Sequence, residues 1–120
     1  MTSSRWHKAA LVACFGLALA VNLQSVGEDF LYGHKGWCAA RRAVAGRSFV
    51  RHGFVATRFG PVENLAPGAK PDEFKHYWHH PVGIHLLVGA SFSIFGIGEW
   101  QARLVPILLM LACFWLFADL

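Results

Sequence analysis

The chain has 120 residues, of which 55% are hydrophobic and 15% charged, and its formal net charge is +4. A soluble domain carries charge on about a quarter of its residues, and here the apolar residues gather in blocks at 9–26 and 81–120 with most of the charge between them. That pattern excludes an ordinary soluble domain. It also disfavours a nucleic-acid partner, because basic residues held between hydrophobic blocks face a membrane surface, a lipid phosphate or an anionic substrate.

Residues 1–8 form a short polar tail with Arg5 and Lys8, expected in the cytoplasm. Residues 9–26 are apolar except for Asn22, Gln24 and Ser25 near the far end. A basic start, a short apolar run and Ala18-Leu19-Ala20 would suit a secretory signal peptide. The same stretch suits a first membrane-spanning helix, and the apolar blocks downstream favour the helix.

Residues 27–80 are a polar segment too long for a connection without structure of its own. Between Gly36 and His52 the only breaker is Gly46, which predicts a basic helix near the membrane. Its arginines, Arg41, Arg42, Arg47 and Arg51, do not share one clean helical face. Gly53, Gly60-Pro61, Pro67-Gly68 and Pro71 then divide the chain into turns, with Glu63-Asn64-Leu65 as irregular loop.

Pro81 suits the start of a second helix. This predicted span, at 81–97, contains Gly83, Gly89 and Ala90, small residues that permit close helix contact. Gly96-Ile97-Gly98 breaks it. A third helix, at 98–120, opens on Glu99, which suits the positive end of a helix dipole and can pair with Arg103 four residues on. Pro106 is a candidate kink that a membrane helix tolerates. The expected fold is therefore all-α and integral to the membrane. It has three transmembrane helices and a long membrane-associated first loop, and forms part of a larger polytopic fold.

Cys14 and Cys113 lie in the apolar blocks and Cys38 in the polar loop, with no Cys-x-x-Cys spacing and no disulfide framework. His76, His79, His80 and His85 raise a metal site. Pro81 disfavours the helical geometry that would put His76 and His80 on one face, and no acidic or cysteine partner is interleaved. No metal ligand is assigned.

Arg51-His52-Gly53-Phe54, then Thr57-Arg58-Phe59-Gly60-Pro61-Val62-Glu63-Asn64, resembles the first loop of certain membrane glycosyltransferases. So does Tyr77-Trp78-His79-His80-Pro81 with the helix after it, and so does Phe95-Gly96-Ile97-Gly98-Glu99-Trp100-Gln101-Ala102-Arg103-Leu104. These are enzymes of the GT-C architecture, among them the protein mannosyltransferases and the lipid A aminoarabinose transferases. The resemblance covers roughly residues 28–110 and rests on order and spacing together.

The resemblance implies a polyprenyl-phosphate-linked sugar as donor and transfer at the extracytoplasmic face of the cell membrane. It also implies an acidic residue just after the first helix, acting as general base or positioning the acceptor and any divalent metal. At His34-Lys35-Gly36-Trp37 this chain has lysine where the family's His-Asp-Gly form carries aspartate, and lysine is no carboxylate base. The nearest carboxylates are Asp29, which can substitute if the loop shifts, and Glu28, which more simply marks the exit of the helix from the bilayer. Donor phosphate contacts fall on His79, His80 and Arg58, against the alternative of an interfacial belt made with Tyr77 and Trp78. Arg41, Arg42, Arg47, Arg51 and Arg58 suit a lipid phosphate or, more commonly, a headgroup-contacting surface.

Orientation divides the indications. Lys35, Arg41, Arg42, Arg47, Arg51, Arg58, Lys70 and Lys75 draw the loop to the cytoplasm by the positive-inside rule. The resemblance and Arg103, in the expected second loop, put it outside. The expected function is the amino-terminal part of a GT-C glycosyltransferase, inactive as this fragment alone. The alternative is a small non-catalytic membrane protein whose basic loop binds anionic lipid or a partner subunit.

Overall fold

A computed structural model describes residues 3–24, 26–27, 29, 34–63 and 68–118, without the side chains of residues 3–5, 34, 35 and 118. Its described elements are α1 (Ser3–Gln24), α2 (His34–His52), α3 (Gly83–Phe95) and α4 (Glu99–Ala118), with a short 3-10 turn at Pro71–Glu73 before α3.

Two helices are long and apolar enough to cross a membrane. Trp6–Gln24 in α1 has a mean hydropathy of 1.4 and Glu99–Phe117 in α4 one of 1.7. At 22 and 20 residues these helices measure roughly 33 and 30 Å, against about 30 Å of hydrocarbon. None of the α1 window is buried inside the molecule, so Leu11, Val12, Leu17 and Val21 all face outward.

The second apolar block behaves differently from the expectation of a span at 81–97. Its helix has 13 residues, about 20 Å, because Pro81 precedes it and Gly96 ends it. Gly96 takes φ 86, a left-handed value that a side chain would resist, and its N–H bonds the Phe92 carbonyl at 3.0 Å.

The pairing of α1 with α4 bears on topology. The Phe15 and Phe114 rings stack at 4.0 Å, Asn22 Nδ2 lies 3.8 Å from Met110 Sδ, and Arg103 reaches Val26 and Asp29. Contacts that descend one helix while climbing the other make the pair antiparallel. Three successive crossings would instead leave α1 and α4 parallel. The end of α1 and the start of α4 thus lie together, and the segment between them begins and finishes at the same end of the molecule. The overall extents, 64 × 28 × 26 Å, agree: the α1/α4 pair accounts for about half of that length.

Arg103 fastens this junction. Its Nη1 donates to the Val26 carbonyl at 3.1 Å and its Nη2 to the Asp29 carbonyl at 3.3 Å, while Glu99 stands 4.0 Å away as its i, i+4 partner. Arg103→Gln removes the fork, and we expect a cost of about 1–2 kcal/mol. Thermal unfolding of the purified chain in detergent micelles checks this, with exposed Arg58→Gln as the control that should not move. Equal midpoints for the two variants would rule the fork out as a stabilising element.

α2 is the helix expected between Gly36 and His52, and its low apolar content does not suggest its position. It packs against α3 and α4, with Ala45, Gly46, Ser48 and Phe49 buried. Close approach depends on one glycine from each side. A Cβ on Gly46 would lie 2.6 Å from Val88, and one on Gly89 would lie 2.8 Å from Phe49. Val88, Phe92, Ala102 and Val105 form the core beside this crossing, with Ala43 and Ile84 against it. Gly83, expected to serve close contact as well, has nothing within 4 Å of a built Cβ.

Between α2 and α3 the chain folds on itself. The Thr57 hydroxyl, buried, donates to the Gly53 or Phe54 carbonyl, and the His76 ring bonds the Thr57 carbonyl at 2.8 Å. Val62 and His76 pair as an isolated antiparallel bridge, flanked by Tyr77 N–H to Pro61 O and Glu63 N–H to Lys75 O, each 2.9 Å. Gly60 lies directly under Trp78 and His76. Arg58 and Phe59 both take left-handed φ values, 51 and 55, a conformation that costs non-glycine residues. It is held by Phe59 N–H to Phe54 O and Gly60 N–H to Thr57 O.

Candidate functional site

The folded segment leaves a cleft of about 920 Å³ between the first half of α2, residues 61–63, and the chain from Tyr77 into α3. Its walls are partly apolar (Ala45, Pro61, Val62, Ile84) and partly aromatic (Trp37, Tyr77). Its polar groups are Cys38, Arg41, Arg42, Glu63, His80 and His85.

Arg41 organises the site. Helical spacing puts Trp37 one turn before it on the same face of α2, and the guanidinium lies 4.5 Å from the Trp37 ring centroid. From the other element the Tyr77 ring approaches to 4.0 Å. Tyr77 is carried there by the Val62–His76 bridge, which also carries Glu63 into an ion pair with Arg41. Cation–π contact on a guanidinium orients the group as well as attracting it.

His80 is exposed and lines the cleft, its ring 5.4 Å from that of Tyr77. His85, on α3, also lines the cleft and is 7% exposed. Arg41, Arg42 and His80 offer N–H donors suited to phosphate oxygens. The aromatic and aliphatic walls suit a hydrocarbon chain or the apolar face of a sugar. An anionic amphiphile matches both halves.

Of the residues expected at the site, the structure brings His80 into the cleft. His79 is exposed beside Tyr77, at 5.1 Å between rings, and does not line it. Arg58 is exposed on its left-handed turn, also outside the lining. Asp29 is exposed and engages Arg103 through its carbonyl, so its carboxylate is not placed in the cleft. Glu28 and the side chain of Lys35 lie outside the described residues. His76 is turned onto Thr57 and stacks on Trp78 at 5.3 Å. Among the described residues no group of three or more His, Cys, Asp or Glu gathers as a metal site.

Sequence reasoning missed Glu63, His85 and the particular place of Arg41. The Trp37–Arg41 spacing was a usable signal for Arg41. Glu63 offered none, because only the bridge between residues 62 and 76 brings it across from its own loop. Comparison of the chain with protein-family models, with curated proteins and with solved structures found no match.

Proposed function

We propose that the chain is part of a membrane glycosyltransferase of the GT-C architecture, whose cleft receives the phosphate end of a polyprenyl-phosphate-linked sugar. The observation that carries this is the cleft itself. An aromatic-clamped guanidinium, a second arginine and His80 share one cavity with an apolar wall, beside helices that suit a bilayer. In this reading α1 and α4 cross the cell membrane as an antiparallel pair, and α3 packs on α2 without crossing. The segment between Gln24 and Glu99 sits on the extracytoplasmic side. That segment is longer than about 60 residues, a length at which its lysines and arginines weigh little on orientation. Arg103 lies at the same end as the exit of α1 and no longer bears on the choice.

One observation favours the non-catalytic alternative, in which the basic segment binds anionic lipid or a partner subunit: the Asp29 carboxylate stands away from the cleft, where a general base would be needed.

Cys38 reports the side of the membrane. With Cys14 and Cys113, exposed on α1 and α4, replaced by serine, a membrane-impermeant thiol reagent applied to intact cells should label Cys38. Labelling that appears only after permeabilisation would place the cleft in the cytoplasm and remove the glycosyltransferase reading.

A further inference from the structure

The Arg41 guanidinium carbon lies 4.5 Å from the Trp37 ring centroid and 4.0 Å from that of Tyr77. A partner that hydrogen-bonds the guanidinium does so along its edge, where five N–H groups lie in one plane. The Glu63 carboxylate is at that position. The two partners are held differently. Arg41 contacts two rings and its side chain is 27% exposed, whereas Glu63 has its backbone N–H on Lys75 O and a side chain that is 45% exposed. A carboxylate so open to water is weakly bound to its partner and free to rotate away. A polyprenyl-phosphate-linked sugar is a phosphodiester with one negative charge; the lipid phosphate left once its sugar is transferred is a monoester, which brings nearly two negative charges and three acceptor oxygens to the same edge.

Resting on the reading of the cleft as the seat of an anionic amphiphile, we propose that the edge of Arg41 is a phosphate-monoester site which Glu63 occupies in the empty protein. Glu63 is an internal competitor. It keeps the guanidinium paired until a phosphate displaces it, and then swings toward solvent. Arg42 and His80, on the same cleft, meet the remaining phosphate oxygens. The apolar wall at Val62 and Ile84 takes the start of the chain esterified to the phosphate.

The test uses the whole chain in detergent micelles and isothermal titration with farnesyl phosphate, farnesol and inorganic phosphate. Glu63→Gln keeps the shape and removes the charge, and should bind farnesyl phosphate about fivefold tighter than the wild type, with farnesol unchanged. Against an Arg41→Gln background the same Glu63→Gln change should bring no gain, which ties the gain to Arg41 rather than to a general change in charge. Equal affinity of wild type and Glu63→Gln for farnesyl phosphate would overturn the competitor and leave the cleft reading standing. Absence of farnesyl phosphate binding in both would overturn the two together. If inorganic phosphate binds as tightly as farnesyl phosphate and shows the same gain, the seat is upheld, its ligand is free phosphate, and the lipid reading of the cleft falls.

Discussion

Gly89→Leu should unfold the α2–α3 crossing, whereas Gly83→Leu in the same helix should be tolerated. A Cβ at position 89 would already lie 2.8 Å from Phe49 Cδ2 and 3.2 Å from Phe54 Cε1, and three further carbons would have to enter the same space. Phe49 is 1% exposed and stacks on Phe54 at 5.1 Å, so neither ring can yield without displacing the other. Overpacking of this kind costs about 1–3 kcal/mol, and leucine belongs at the upper end. At position 83 a Cβ meets nothing within 4 Å, and leucine favours a helix over glycine. Thermal unfolding in micelles should separate the two variants clearly. A normal midpoint for Gly89→Leu would show that α2 does not pack on α3 as described.

Gly60→Val should abolish the cleft without touching a residue that lines it. Gly60 is buried under Trp78 and His76, at 2.5 and 2.8 Å from the site of a Cβ. A branched side chain there forces residues 76–78 away from residues 57–62. The Val62–His76 bridge and the Tyr77 N–H bond to Pro61 then fail, and both Tyr77 and Glu63 lose the positions that hold Arg41. We expect farnesyl phosphate binding to fall at least tenfold, about 1.4 kcal/mol, while α1 and α4, remote from the turn, keep their helical circular-dichroism signal. Retained binding would show that the Tyr77 clamp is not needed for the site.

These two outcomes depend on glycines that look alike along the chain. Gly83 and Gly89 both read as small residues permitting helix contact, and only packing separates them, since only Gly89 faces Phe49. The site divides in the same way. Local spacing brings Trp37 and Arg41 together, because residues four apart on a helix must be neighbours. Asp29 was the expected carboxylate because it follows the first helix, but its carbonyl is drawn to Arg103 at the α1–α4 junction. The carboxylate found in the cleft is Glu63, delivered by pairing between segments that are distant in sequence.

The sequence by itself determined the helical class, the basic helix ahead of Gly53 and the break at Gly96-Ile97-Gly98; it read three spanning helices, of which α1 and α4 are long and apolar enough to cross a membrane. Each of these follows from local propensity, from hydropathy summed over consecutive residues, or from glycine and proline geometry. The tertiary structure decided that α1 and α4 run antiparallel, that α3 is only 13 residues long, that the polar α2 packs on α3 and α4, and which side chains share the cleft. Those outcomes rest on contacts between residues far apart in the chain. Such contacts depend on shape complementarity, a glycine facing a ring or a guanidinium met by the Tyr77 ring from another element, and no window along the sequence records it.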